Sequence, residues 1–201
     1  MPPVRIGDMP HRSVTRASLT LGAVIANQLE TPMKTIPLFA ALTVAVAVCY
    51  PACAQNIAKA DADRVVAIAQ ANMAEVAAGK IAIGKSTSAD VKSFAQMMVD
   101  DHGKCLDDTR KLAASKNITL PSEPDAAHQK MAADLQKLSG AAFDKEYVSK
   151  AGVADHTKVH AALKNDIANA RDADVKALAT KLEPVVAHHE EMAKKLNSSM
   201  K

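Results

Sequence analysis

The stretch VKSFAQMMVDDHGKCLDDTRKL, residues 91–112, decides the fold. Val91, Ala95, Met98, Cys105 and Leu112 recur at intervals of three and four, and His102 and Thr109 share their stripe. Side chains at that spacing meet on one face of an α-helix, so the segment predicts a helix running to about Lys116. Its polar members carry the functional interest, because a polar group on a core-facing stripe needs a partner inside the protein.

Working upstream, Ser86-Thr87-Ser88 breaks the pattern, and Thr87 or Ser88 is placed to cap the helix that follows. Before it, from about Lys59 to Lys85, a second stripe passes through Val65, Ile68, Asn72, Glu75, Gly79 and Ile83 (or Ala82). Downstream, residues 117–124 include Pro121 and Pro124 and read as a loop. A short helix from about Asp125 to Leu138 closes at Ser139-Gly140. A third long helix, about Ala142 to Ala170, aligns Phe143, Tyr147, Val153, His156, His160, Leu163 and Ile167. Asp172 restarts the chain into a fourth, which runs to about Leu196 with Val175, Leu178, Leu182, Val185, His189, Met192 and Leu196. Pro184 lies inside that pattern and is expected to bend it. Ala-rich composition with no alternating β-branched run agrees with helices throughout. The expected class is all-α: a ferritin-like four-helix bundle with an additional short helix in its crossover.

The N-terminal quarter reads differently. Met33-Lys34 precedes the uncharged run TIPLFAALTVAVAV, residues 35–48, which ends at Ala52 and Ala54 with small-x-small spacing. That order is a secretory signal, residues 33–54, with cleavage expected after Ala54 and a periplasmic or secreted destination. The apolar run falls short of the ~20 residues that span a bilayer. Residues 1–32 show no clear period and read as an extension from a misplaced start codon, which leaves 55–201 as the helical domain. No transmembrane segment is expected after cleavage. The domain is nearly neutral, with 21 Lys and Arg against 20 Asp and Glu, so nothing suggests nucleic acid as a partner. Cys105 is its sole cysteine, so an internal disulfide cannot form there; a homo-oligomer, covalent or not, stays open.

Glu75, His102, His156 and His189 each fall on the core stripe of a different long helix. One carboxylate and three imidazoles meeting at one level would suit Zn, Cu, Fe or Ni. The plainer reading is a buried polar network in which Glu75 neutralises a protonated histidine and fixes register. A di-iron carboxylate site is disfavoured, since the Glu-x-x-His pairs it uses are missing before His102 and His189. Asp101 and Asp155, each adjacent to a stripe histidine, read as surface groups or as supports for those imidazoles. His156 with His160, and His102 with Cys105, have chelating spacing; His128 and His188 read as peripheral, and Cys105 as a small buried hydrophobe. There is no Gly-rich phosphate loop, Gly-x-Ser-x-Gly or His-Glu-x-x-His. Whether the protein is an enzyme is left open.

Several of these runs together resemble the bacterial domain-of-unknown-function family 4142: residues 72–75, residues 91–102, Leu138-Ser139-Gly140 with Phe143-Asp144 and Tyr147, residues 153–156, and Pro184 followed by His189. The resemblance covers about Ala58 to Leu196. It implies a ferritin-like helical fold in exported, outer-membrane or periplasmic proteins, without an assigned reaction. Carried over by position, the family's Glu and three His fall on Glu75, His102, His156 and His189. Glu183 departs from the pattern, which usually has Leu before the proline. The expected function is therefore an exported helical-bundle protein without an assigned biochemical role, linked to envelope or oxidative stress. Two alternatives stand beside it: a metal-binding or metal-dependent redox protein using the one-Glu, three-His cluster, and an envelope interaction module.

Overall fold

A computed structural model describes residues 57–200, and this region is all-helical, with no strand among the described residues. The segments read as an N-terminal extension and a signal lie outside the described residues. Helices α1 (Lys59–Lys85) and α2 (Ala89–Ser115) form one closely packed pair. The short α3 (Ala126–Gln136) crosses back over α1 and leads to α4 (Gly140–Tyr147). A π-helical segment, Val148–Asp155, joins α4 to α5 (His156–Asn169), and α6 (Ala173–Ser199) packs along both π segment and α5.

The helix ends follow from local chemistry. Ser88 caps α2, Asp125 caps α3 through Ala127 and His128, and Asp172 caps α6 through Asp174 and Val175. Each side-chain oxygen satisfies amides that the first turn leaves without an intrahelical acceptor. At the far end of α2, Asn117 adopts φ 55°, and the Ile118 amide donates back to the Ala113 carbonyl at 2.8 Å. That is a left-handed helix stop of Schellman type, with Asn where Gly is commoner. Buried Asp61 accepts hydrogen bonds from the amides of Arg171 and Asp172, which ties the start of α1 to the α5–α6 connection.

The core is layered along the helices. At one end Phe94, Met98, Leu135, Phe143, Tyr147 and Val148 form an aromatic layer. Toward the other end Ile68, Leu163, Leu178, Leu182 and Val186 form an aliphatic one, continued by Val65, Ala113 and Val175. Gly79 allows α1 to approach α2 in the first layer: a Cβ there would lie 2.8 Å from Val99 Cγ2 and 3.0 Å from the Ala95 carbonyl oxygen.

One expectation needs correction. The third long helix is not regular. At about 100° per residue Tyr147 and His156, nine apart, would face opposite sides, yet both are fully buried. The wider winding of residues 148–155 brings them to the same interior, and it buries Val148, Ala151, Gly152 and Asp155 in place of Val153, which is only partly buried. Pro184 lies in the interior of α6, where the sequence placed it, and the helix continues past it.

Candidate metal centre

Between the aromatic and aliphatic layers the core turns polar. His102 from α2, His156 from the start of α5 and His189 from α6 are 3 %, 1 % and 1 % exposed. His102 Nε2 lies 3.2 Å from His156 Nε2 and 3.3 Å from His189 Nδ1, and the ring centroids stand 5.1–5.6 Å apart. One nitrogen of each ring thus belongs to a group whose members all lie within 4.8 Å of one another.

The outer nitrogens fix where the hydrogens are. Asn72 donates its amide to the Ile68 carbonyl at 2.8 Å, so its oxygen must face His102 Nδ1, 2.9 Å away. An amide oxygen there requires Nδ1–H on His102 and leaves Nε2 bare. His156 Nδ1 donates to the Ala151 carbonyl at 2.9 Å, which leaves its Nε2 bare as well. His189 Nε2 faces the Asp101 carboxylate at 3.2 Å and carries its hydrogen, so Nδ1 is bare. Three lone pairs therefore converge with no hydrogen between them. Orienting a ligand imidazole through its other N–H in this way is characteristic of metal sites.

Electrostatics reinforce the neutral forms. Burial pushes the His102 pKa well down, helped by His156 and His189. Burial lowers His156 too, although the Ala151 carbonyl and Asp155 oppose it. His189 falls to about 4 through burial and His156, against the pull of Asp101. Imidazole binds a metal only when neutral.

Glu75 sits beside this cluster at 2 % exposure. Its Oε1 lies 3.5 Å from His156 Nδ1, whose hydrogen already goes to Ala151, and apart from a hydrogen bond shared with the Asp155 carboxylate neither carboxyl oxygen has a partner among the described residues. Burial, then the neighbouring Asp155, raises its pKa well above the usual carboxylate range. The expected ion pair between Glu75 and a protonated histidine is therefore not made. Glu75 and His102 instead line a cavity of about 20 Å³ together with His156 and Cys105.

Several other expectations change. His160 does not chelate with His156; it turns outward to Glu190 and Glu183, each at 2.8 Å. Cys105 is buried as expected, but its thiol is pushed up to about 11, chiefly by burial, and its sulfur is not among the converging groups. His128 is not peripheral: it bridges Asp125 at 2.6 Å and buried Asp155 at 3.1 Å. Those partners outweigh the cost of burial and raise its pKa to about 9. Sequence spacing gave no sign of this bridge, since its two carboxylates lie on different helical segments. Asn72 stood on the α1 stripe and was read as a core position rather than as the group that orients His102.

Comparison with curated proteins and with solved structures gives no match. The family model described as a domain of unknown function, DUF4142, matches residues 48–196, well over half of the chain, and the protein belongs to that family.

Proposed function

We propose that this protein is an exported, ferritin-like four-helix bundle whose core holds one transition-metal ion on His102, His156 and His189. The observation that carries the reading is the convergence of three bare imidazole nitrogens, each with its opposite N–H committed to a fixed acceptor. Without a cation, those lone pairs face one another across 3.2–3.3 Å in a buried site. The spacing of His102 Nε2 to each of the other two nitrogens suits ligation: two nitrogens 2.0–2.1 Å from a metal at a tetrahedral angle stand roughly 3.3–3.4 Å apart. Three imidazoles favour Zn, Cu, Fe or Ni over the hard cations Mg and Ca. Glu75 lies beside the ligand set, close enough to tune it. Export rests on Lys34, the apolar run at residues 35–48 and the small residues Ala52 and Ala54.

The test is elemental analysis of the mature protein, purified without a polyhistidine tag and incubated with each of the four metals. One equivalent of a transition metal is expected, and none in a His102→Ala, His156→Ala double variant that remains helical by circular dichroism. Equal metal content in the two proteins, or none in either, would leave a buried polar network. The mass of the exported protein tests the signal, with cleavage after Ala54 expected.

A further inference from the structure

The three imidazoles fill three coordination positions, and what lies beside them is not a fourth protein ligand in contact but a small hole. The cavity of about 20 Å³ is lined by two of the ligands, His102 and His156, and by Glu75 and Cys105. The rest of its wall is Asn72, whose amide is already engaged by Ile68 and His102, and apolar side chains, Ile68, Ala71, Leu163, Leu182 and Val186 among them. A polar cavity needs only ~10–15 Å³ to hold one water, so this one admits a molecule of one or two heavy atoms and nothing larger. Glu75 is the second, independent sign of a ligand. Its carboxyl is buried and lines the cavity; Asp155 shares a hydrogen bond with it, and no other group among the described residues reaches its oxygens. A buried carboxyl short of hydrogen-bond partners is unfavourable, and a molecule in the cavity would supply one. Structural metal sites close their coordination with protein atoms, whereas reactive ones keep a position for an exogenous ligand.

We infer that the centre keeps an open coordination position facing this cavity, which takes a one- or two-atom exogenous ligand such as water, hydroxide or a diatomic molecule, with Glu75 as its polar contact. The inference rests on the metal-binding reading above and adds the class of molecule that the metal would meet. Cys105 contributes the cavity wall as a protonated thiol. The apolar side chains exclude larger donors, so size is the discriminating property.

Copper(I) with carbon monoxide tests it, because carbon monoxide is a two-atom ligand with an infrared band that reports coordination directly. The metal-free protein is loaded with copper(I), its copper content is measured after desalting, and carbon monoxide is then admitted. The expected result is one equivalent of copper and one carbonyl band per copper. In Ala71→Leu, which narrows the cavity without replacing a proposed ligand, copper is retained and the band falls at least tenfold. Glu75→Gln, which preserves shape, is expected to keep the band but shift its frequency. Stoichiometric copper without a carbonyl band would overturn the open position and leave the metal centre standing. A band unchanged in both variants would place the carbon monoxide outside this cavity and overturn the inference as well. Absence of copper from the wild-type protein would remove the centre itself.

Discussion

The aromatic layer and the histidine level sit next to each other on the same helices and solve opposite problems. In the aromatic layer Phe143 stacks on Tyr147 with ring planes 5° apart, Phe94 meets Tyr147 edge-on, and Ala78, Ala95 and Ala193 close the gaps. Stability there comes from removing apolar surface from water, roughly 1.5–3 kcal/mol for a fully buried large side chain. One turn or so along each helix, His102 follows Met98 on α2 and His189 precedes Ala193 on α6. At that level the interior is polar, and its order comes from hydrogen bonds that reach outward to Asn72, Ala151 and Asp101. The difference teaches that this protein gathers its three buried imidazoles into one level, with mostly apolar layers above and below that hold the helices together.

That division of labour can be broken. The largest effect is expected from Phe143→Ala, which removes a fully buried ring from the aromatic layer and should cost ~3–5 kcal/mol in chemical denaturation. The folded fraction should keep its metal stoichiometry. Joint loss of both would mean that the two levels are one cooperative unit. Asp101→Ala probes the reverse case. Asp101 is the acceptor for His189 Nε2–H but is itself partly exposed, so metal affinity in a competition titration should fall about 10–100-fold while the metal-free stability moves by less than ~0.5 kcal/mol. An unchanged affinity would show that His189 is held by packing alone.

The smallest effect sharpens the boundary between the levels. His128 has a folded pKa raised to about 9 by its two carboxylate partners, above its ordinary value of about 6.5. A group with a raised pKa stabilises the fold fully below its unfolded pKa, and the contribution disappears as pH rises through the folded one. His128→Gln should therefore cost about 1 kcal/mol at pH 6 and almost nothing at pH 10, read from denaturation midpoints of both proteins. A cost that stayed constant with pH would assign His128 a packing role.

Much of this was legible in the sequence, for a physical reason. Polar residues on helical stripes are few, so Glu75, His102, His156 and His189 stood out once the 3.6-residue period was applied, and three of the four converge with Glu75 alongside. What the period could not supply was the relation between side chains on different helices. The pairing of His128 with Asp155, the diversion of His160 to Glu183 and Glu190, and the role of Asn72 depend on rotamers and helix rotation. The third long helix departs from a regular period for a more specific reason: no regular α-helix places Phe143, Tyr147 and His156 all on one side. That conflict was itself the only sequence signal of the π segment.

The π segment also has a consequence for how this chain can vary. Regions such as residues 117–124 connect helices through a loop, and loops tolerate insertions and deletions. Residues 148–155 hold the phase between the aromatic layer and His156 through their number. Gain or loss of one residue would rotate everything from His156 to Asn169 by about 100°, carrying His156 out of the core while leaving every side chain unchanged in kind. Across descendants of this sequence, the spacing from Tyr147 to His156 is thus a quantity that selection for the site would have to guard as closely as the histidines themselves.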